Sequence, residues 1–172
     1  MELTLINYLI GRKLIMKIFR KKIFFSVLFL VMIIFSVSSA SGKLKVLTTL
    51  PDLKSITEWV GGDKVEVFAI ATGYQNPHFV DPKPSYILKL SKADIFVTIG
   101  LDLETGWVPP LINSSRNEKI LKGSAGYVDA SVNIPLLQVP SSVNRAEGDI
   151  HIYGNPHYWL DPRNGKIIAE NI

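Results

Sequence analysis

Cysteine is absent from all 172 residues. That omission removes disulfide bridges, thiolate metal ligands, cysteine nucleophiles and a lipid-modified N-terminal Cys together. Any soft-metal site must then be built from His and carboxylates, and histidine is itself scarce, with three in the chain. Also missing are a Gly-rich phosphate loop, a Walker motif, a Gly-x-Ser-x-Gly elbow and a His-Glu-x-x-His run, so those nucleotide-binding and hydrolytic chemistries have no signature here. The longest apolar run falls short of the roughly 20 residues a membrane-spanning helix needs. There is no repeat of solenoid period and no low-complexity tract.

A surplus of positive charge is missing too, once the net +4 is divided along the chain. Residues 1–40 hold six basic residues, Arg12, Lys13, Lys17, Arg20, Lys21 and Lys22, against Glu2 alone. From Ser41 onward 13 basic residues face 14 acidic ones. A nearly neutral body has no patch large enough to displace counterions from a phosphate backbone, which excludes nucleic acid as a partner.

The basic start reads as an address. Ile23 to Val37 is an apolar run of 15 residues interrupted by Ser26 and Ser36. Arg20-Lys21-Lys22 precedes it and Ser38-Ser39-Ala40 follows, the layout of a cleaved secretory leader over residues 1–40. Met16 opens such a leader by itself, so residues 1–15 read as an over-called start. Export without a lipidated Cys predicts a soluble protein of a Gram-negative periplasm.

From Lys43 onward, strand and helix patterns alternate. Strands are predicted at Leu44 to Thr48, Lys64 to Ile70, Ile95 to Ile99 and Tyr127 to Ala130. Helices are predicted at Pro51 to Val60, with Leu53, Ile56 and Val60 inward, at Pro84 to Ala93, and around Trp107 within Leu103 to Asn113, where Pro109-Pro110 interrupts the pattern. Leu136 to Gly154 reads as a long surface loop, and a last helix starts at Asn164. Strands separated by helices predict an α/β fold with a parallel sheet flanked by helices.

Two of the three histidines occupy the same tripeptide, Asn76-Pro77-His78 and Asn155-Pro156-His157. An aromatic residue follows each (Phe79, Tyr158), and an Asp-Pro comes soon after (Asp81-Pro82, Asp161-Pro162). Proline fixes the backbone just before each imidazole, and a stiffened presentation moves ordering cost ahead of binding. Loops of an open parallel sheet converge at the carboxyl ends of its strands, so the two corners are expected to meet there. The third histidine, His151 in Asp149-Ile150-His151, has no matching partner and reads as an auxiliary ligand. Asp102 and Glu104 read as acids opening a helix, and Trp107 and Trp159 as packing residues.

The order of these segments resembles the periplasmic solute-binding proteins of zinc and manganese ABC importers. Lys45 to Leu53 (KVLTTLPDL), Gly61 to Ala69, Asn76 to Ser85 (NPHFVDPKPS), Ala93 to Glu104 (ADIFVTIGLDLE) and Gly154 to Asn164 (GNPHYWLDPRN) carry the likeness. The resemblance implies that His78 and His157 are ligands of a divalent zinc or manganese ion, and that a membrane permease is the partner. It also implies two α/β lobes joined by one long helix, with residues 41–162 as the N-terminal lobe and 163–172 as the first turns of that helix. In that family the second lobe supplies further ligands, and residues 1–172 are expected to stop before it. A His-rich loop, frequent in zinc-specific relatives, is not found between Leu136 and Gly148. The resulting expectation is a non-catalytic metal carrier with His78, His157 and His151 at its site. Two alternatives stand beside it: a zinc-dependent hydrolase using Asp81 or Asp161 as general base, and a fragment with no function.

Overall fold

The computed structural model describes residues 16, 17, 19–26, 42–141 and 151–172. The chain divides into two compact units, Met1–Ser41 and Gly42–Ile172. In the first, residues 19–26 are helical and exposed. The remainder of the expected leader lies outside the described residues. No helix among the described residues is long and apolar enough to cross a membrane.

The second unit is built on four parallel strands: β1 (Leu44–Thr48), β2 (Val65–Ala69), β3 (Ile95–Thr98) and β4 (Tyr127–Asp129), in the order β2-β1-β3-β4. Each strand falls inside its predicted range. The register sets Val46 between Val67 and Ile95, and Thr98 beside Asp129. Phe96, Val97 and Thr98 of β3 are buried, as expected of an interior strand covered on both faces. Around the sheet run α1 (Pro51–Gly61), α2 (Pro84–Leu90), α3 (Val108–Ser115) and α4 (Asn164–Asn171). They pack as two pairs, α1 with α4 and α2 with α3.

Proline explains where three of the helices begin. Pro51 and Pro84 each occupy the first turn of their helix, where the missing N–H costs nothing. The same rule corrects the expected helix at Leu103 to Asn113. Pro109 and Pro110 are confined to the first turn of α3, which starts at Val108, and the residues before it form turns. Gly100, Leu101 and Asp102 all have positive φ there, so the chain reverses as it leaves β3. Gly100 has no alternative, because a Cβ at that position would collide with the Asp129 carboxylate.

The inward face of α1 also differs from its expected one. Leu53 and Thr57 are buried, whereas Val60 is exposed. Thr57 is accommodated because its hydroxyl donates to the Leu53 carbonyl at 2.7 Å, satisfying a polar group that burial would otherwise penalise. Helix α4 is too short to hold its shape alone. It is docked by fully buried Ile168 and by Asn171, whose amide donates to the carbonyls of Ala130 and Val132. Of the expected loop Leu136 to Gly154, residues 136–141 carry no regular structure, residues 152–153 turn, and 142–150 lie outside the described residues.

Candidate metal centre

Because all four strands are parallel, the segments that follow β2, β3 and β4 emerge from one end of the sheet. His78 lies on the segment after β2; His151 and His157 lie on the segment after β4. Each offers one ring nitrogen to a cluster whose ligand atoms are all within 4.8 Å of one another. His78 Nε2 and His157 Nε2 are 3.3 Å apart. The His151 ring stacks on His78 with centroids 4.9 Å apart, and His157 stands edge-on to both. All three rings are half-buried, so an ion entering from solvent can reach them.

Each Asn-Pro-His corner is closed by its own asparagine. Asn76 Oδ1 accepts the His78 N–H at 3.0 Å, and Asn155 Oδ1 accepts the His157 N–H at 2.9 Å. This is the Asx turn, in which an Asn side chain bonds its own backbone two residues on. Proline sets φ between the two partners while asparagine pins the histidine amide. The asparagines had drawn no role from the sequence, although the repeated tripeptide contains the signal. Asn155→Ala removes two side-chain hydrogen bonds, to the His157 amide and to Gln138, and is expected to cost about 1–2 kcal/mol of unfolding free energy in denaturant titrations.

The second corner is further fixed from outside. Asn155 N donates to the Leu137 carbonyl, and the Asn155 side-chain amide donates to Gln138 Oε1. Gly154 makes this approach feasible: its φ is +105°, and a Cβ there would stand 2.9 Å from the Leu137 carbonyl oxygen.

Two buried aromatics tie the corners to the turn after β3. Trp107 Nε1 donates to the Pro77 carbonyl at 2.9 Å, and the Tyr158 hydroxyl donates to the Ile99 carbonyl at 2.7 Å. Trp107 was expected to be a packing residue and is buried, but it also holds the peptide that leads into His78. Burial pushes the Tyr158 phenol far above its usual value, so it stays a donor at any ordinary pH.

Glu104 corrects another expectation. It does not open a helix; it is 4% exposed, and its two carboxylate oxygens accept the N–H groups of Ile99 and Gly100 at 2.7 and 3.1 Å. Burial raises its pKa to about 7, a rise opposed by the hydrogen bonds from the Ile99 and Gly100 amides and assisted by the nearby Asp129 charge. The Thr49 hydroxyl is buried and meets no partner at good hydrogen-bonding geometry.

The electrostatics of the cluster favour a neutral His157 ring. Burial lowers the His157 pKa, and the neighbouring His78 and His151 lower it further. Neutral imidazole is the form that ligates a metal. Neither carboxylate considered as a general base is in the cluster. Asp161 is engaged by Arg163 through contacts of 2.6 to 3.0 Å, which hold its carboxyl below the usual range, and Asp81 is exposed. Trp159 lies against His157, with ring centroids 5.1 Å apart.

Three comparisons bear on this arrangement. Residues 46–172 match the family described as ZnuA, zinc-uptake complex component A periplasmic. The chain is 34% identical over 140 residues to the manganese ABC transporter substrate-binding lipoprotein PsaA of Streptococcus pneumoniae, covering 80% of this chain and 42% of the relative. It is 33% identical, with the same coverage, to the metal ABC transporter substrate-binding lipoprotein FimA of Streptococcus parasanguinis. Among solved structures, a crystal structure of ZnuA superposes with a TM-score of 0.60 at 26% identity, covering 76% of this chain and 46% of that one. Zn(II)-bound AdcA from Streptococcus pneumoniae gives 0.56 at 27% identity, over 76% of this chain and 25% of that one. The chain thus spans less than half the length of these relatives. On the match that runs from β1 to its last residue, the chain belongs to the ZnuA family of zinc-uptake periplasmic components.

Proposed function

We propose that this protein binds a divalent transition metal, zinc or manganese, through neutral imidazole nitrogens of His78, His157 and His151, and hands it to the membrane permease of an ABC importer. The metal is cargo, and the role is non-catalytic. The observation that carries the reading is the convergence of three histidine nitrogens within 4.8 Å at the carboxyl end of a parallel sheet. Export to the periplasm by the leader at residues 1–40 completes the proposal. Residues 41–162 serve as the metal-gripping lobe, and 163–172 begin the helix leading to a second lobe. The relatives' greater length supports a partner lobe that closes over the ion and adds ligands.

The donor set favours zinc. No carboxylate belongs to the cluster among the described residues. Imidazole suits zinc, whereas manganese prefers oxygen donors and stands lowest in the divalent affinity order. Titration of the full chain by calorimetry at pH 7.5 is expected to show one zinc per chain, bound at least about tenfold more tightly than manganese. Zinc affinity is expected to decline once pH falls below 6.5, the ordinary imidazole value from which His157 is lowered, because protons then compete for its nitrogen. Equal or tighter manganese binding would overturn the preference, and no saturable binding of either metal would overturn the function.

A further inference from the structure

The two histidine corners come from segments nearly 80 residues apart, yet their Nε2 atoms lie 3.3 Å from each other. Asx turns stiffen each corner internally, but they do not fix one relative to the other. A local turn cannot set a long-range distance. What spans the gap is the stretch from Ile99 to Trp107. Its first carbonyl receives the Tyr158 hydroxyl, next in sequence to His157, and its last side chain donates to Pro77, next in sequence to His78.

This stretch is itself rigid. Its start is clamped by Glu104, which accepts the N–H groups of Ile99 and Gly100. Leu103 N donates to the Gly100 carbonyl and Trp107 N to the Glu104 carbonyl, closing successive turns. Leu103, Glu104, Trp107 and Tyr158 are each less than a tenth exposed. Three consecutive residues at its head have positive φ, and a conformation of that kind persists only where its surroundings over-determine it.

We infer that Trp107 and Tyr158 are positioning residues that set the spacing of His78 and His157, using the Glu104-clamped turn after β3 as a common jig. Neither side chain supplies a ligand atom. Each fixes a backbone point next to a ligand, and so they act on the pair together. The inference rests on the metal reading above for its functional consequence, whereas the spacing itself is argued from the contacts of this chain's own residues. Outer partners that orient metal-binding histidines are typically worth 10–100-fold in affinity.

The test uses the full chain with Tyr158→Phe and Trp107→Phe, which remove one donor each and keep an aromatic ring. Zinc affinity is expected to fall by about tenfold in each. In the metal-free protein, NMR cross-peaks between the His78 and His157 rings are expected to weaken in both variants while the remaining spectrum stays folded. The distinguishing arm is a double-mutant cycle. In a His157→Ala background, Tyr158→Phe has no histidine left to position, so it should cause no further loss of zinc affinity. Full zinc affinity with unchanged ring cross-peaks in the single variants would overturn the inference. So would an equal loss in the His157→Ala background, which would mark Tyr158 as a general structural residue. If the unmutated chain takes up no zinc, the metal reading falls, and the ring cross-peaks alone decide whether the jig exists.

Discussion

Replacing His157 with Ala is expected to weaken zinc binding by more than about 100-fold, since groups that merely orient a ligand already cost 10–100-fold when removed. His157 faces both other imidazoles, and its nitrogen is 3.3 Å from that of His78. Its loss leaves a two-nitrogen site, and two imidazoles do not complete the tetrahedral shell that zinc favours. His78→Ala is expected to match it, because the two residues hold equivalent corners. His151→Ala should be milder, as that ring stacks on His78 from a turn without the Asn-Pro restraint. Competition against a chromophoric chelator ranks the three. A His157→Ala chain that binds as well as the unmutated one removes the basis of the metal assignment.

The second large effect concerns stability and pH. Glu104 titrates near 7 in the folded protein, against an ordinary value of 4.5. The folded state therefore holds a proton on this group over a range in which the unfolded chain has released it. Stability from Glu104 is fully present below about pH 4.5 and is lost as pH rises through about 7. At 1.36 kcal/mol per pKa unit, the loss is on the order of 3 kcal/mol. His157 acts in the opposite sense, because its lowered pKa penalises folding as pH drops below its ordinary 6.5. The Glu104 part is isolated by comparing unfolding free energies with those of Glu104→Gln, which keeps the shape and cannot ionise. The difference between the two proteins is expected to change steadily between pH 5 and 7.5 in favour of the variant. A flat difference would mean that the buried carboxyl titrates normally.

The parallel sheet was legible from the alternation of apolar runs with helical patterns, and all four strands fall where that alternation sets them. The meeting of the histidines was legible for a specific reason. A tripeptide that occurs twice implies two equivalent corners, and parallel strands deliver their following loops to the same end. Trp107, Glu104 and Tyr158 were legible only as residue types. Whether Glu104 turns toward solvent or toward the Ile99 and Gly100 amides depends on the reversed backbone at Leu101 and Asp102. Neither residue advertises a positive φ, so an acid soon after a strand looked like the start of a helix. The late onset of α3 was written in Pro109-Pro110 and needed only the first-turn rule for proline. Val60 misled because helical spacing assigns it to a face but does not say how far along the helix the core extends.

The strand order has a kinetic consequence. The central strand β1 pairs with β2 on one side, but on the other Val46 meets Ile95, 49 positions further on. Among the described residues every strand pairing is parallel, so no hairpin assembles this sheet locally and each pairing requires closure of a long loop before it yields contacts. Until β3 arrives, buried positions such as Val46 and Leu47 have an open flank. Folding should therefore be slow for a domain of this size, and its early collapsed states should be prone to stick to one another.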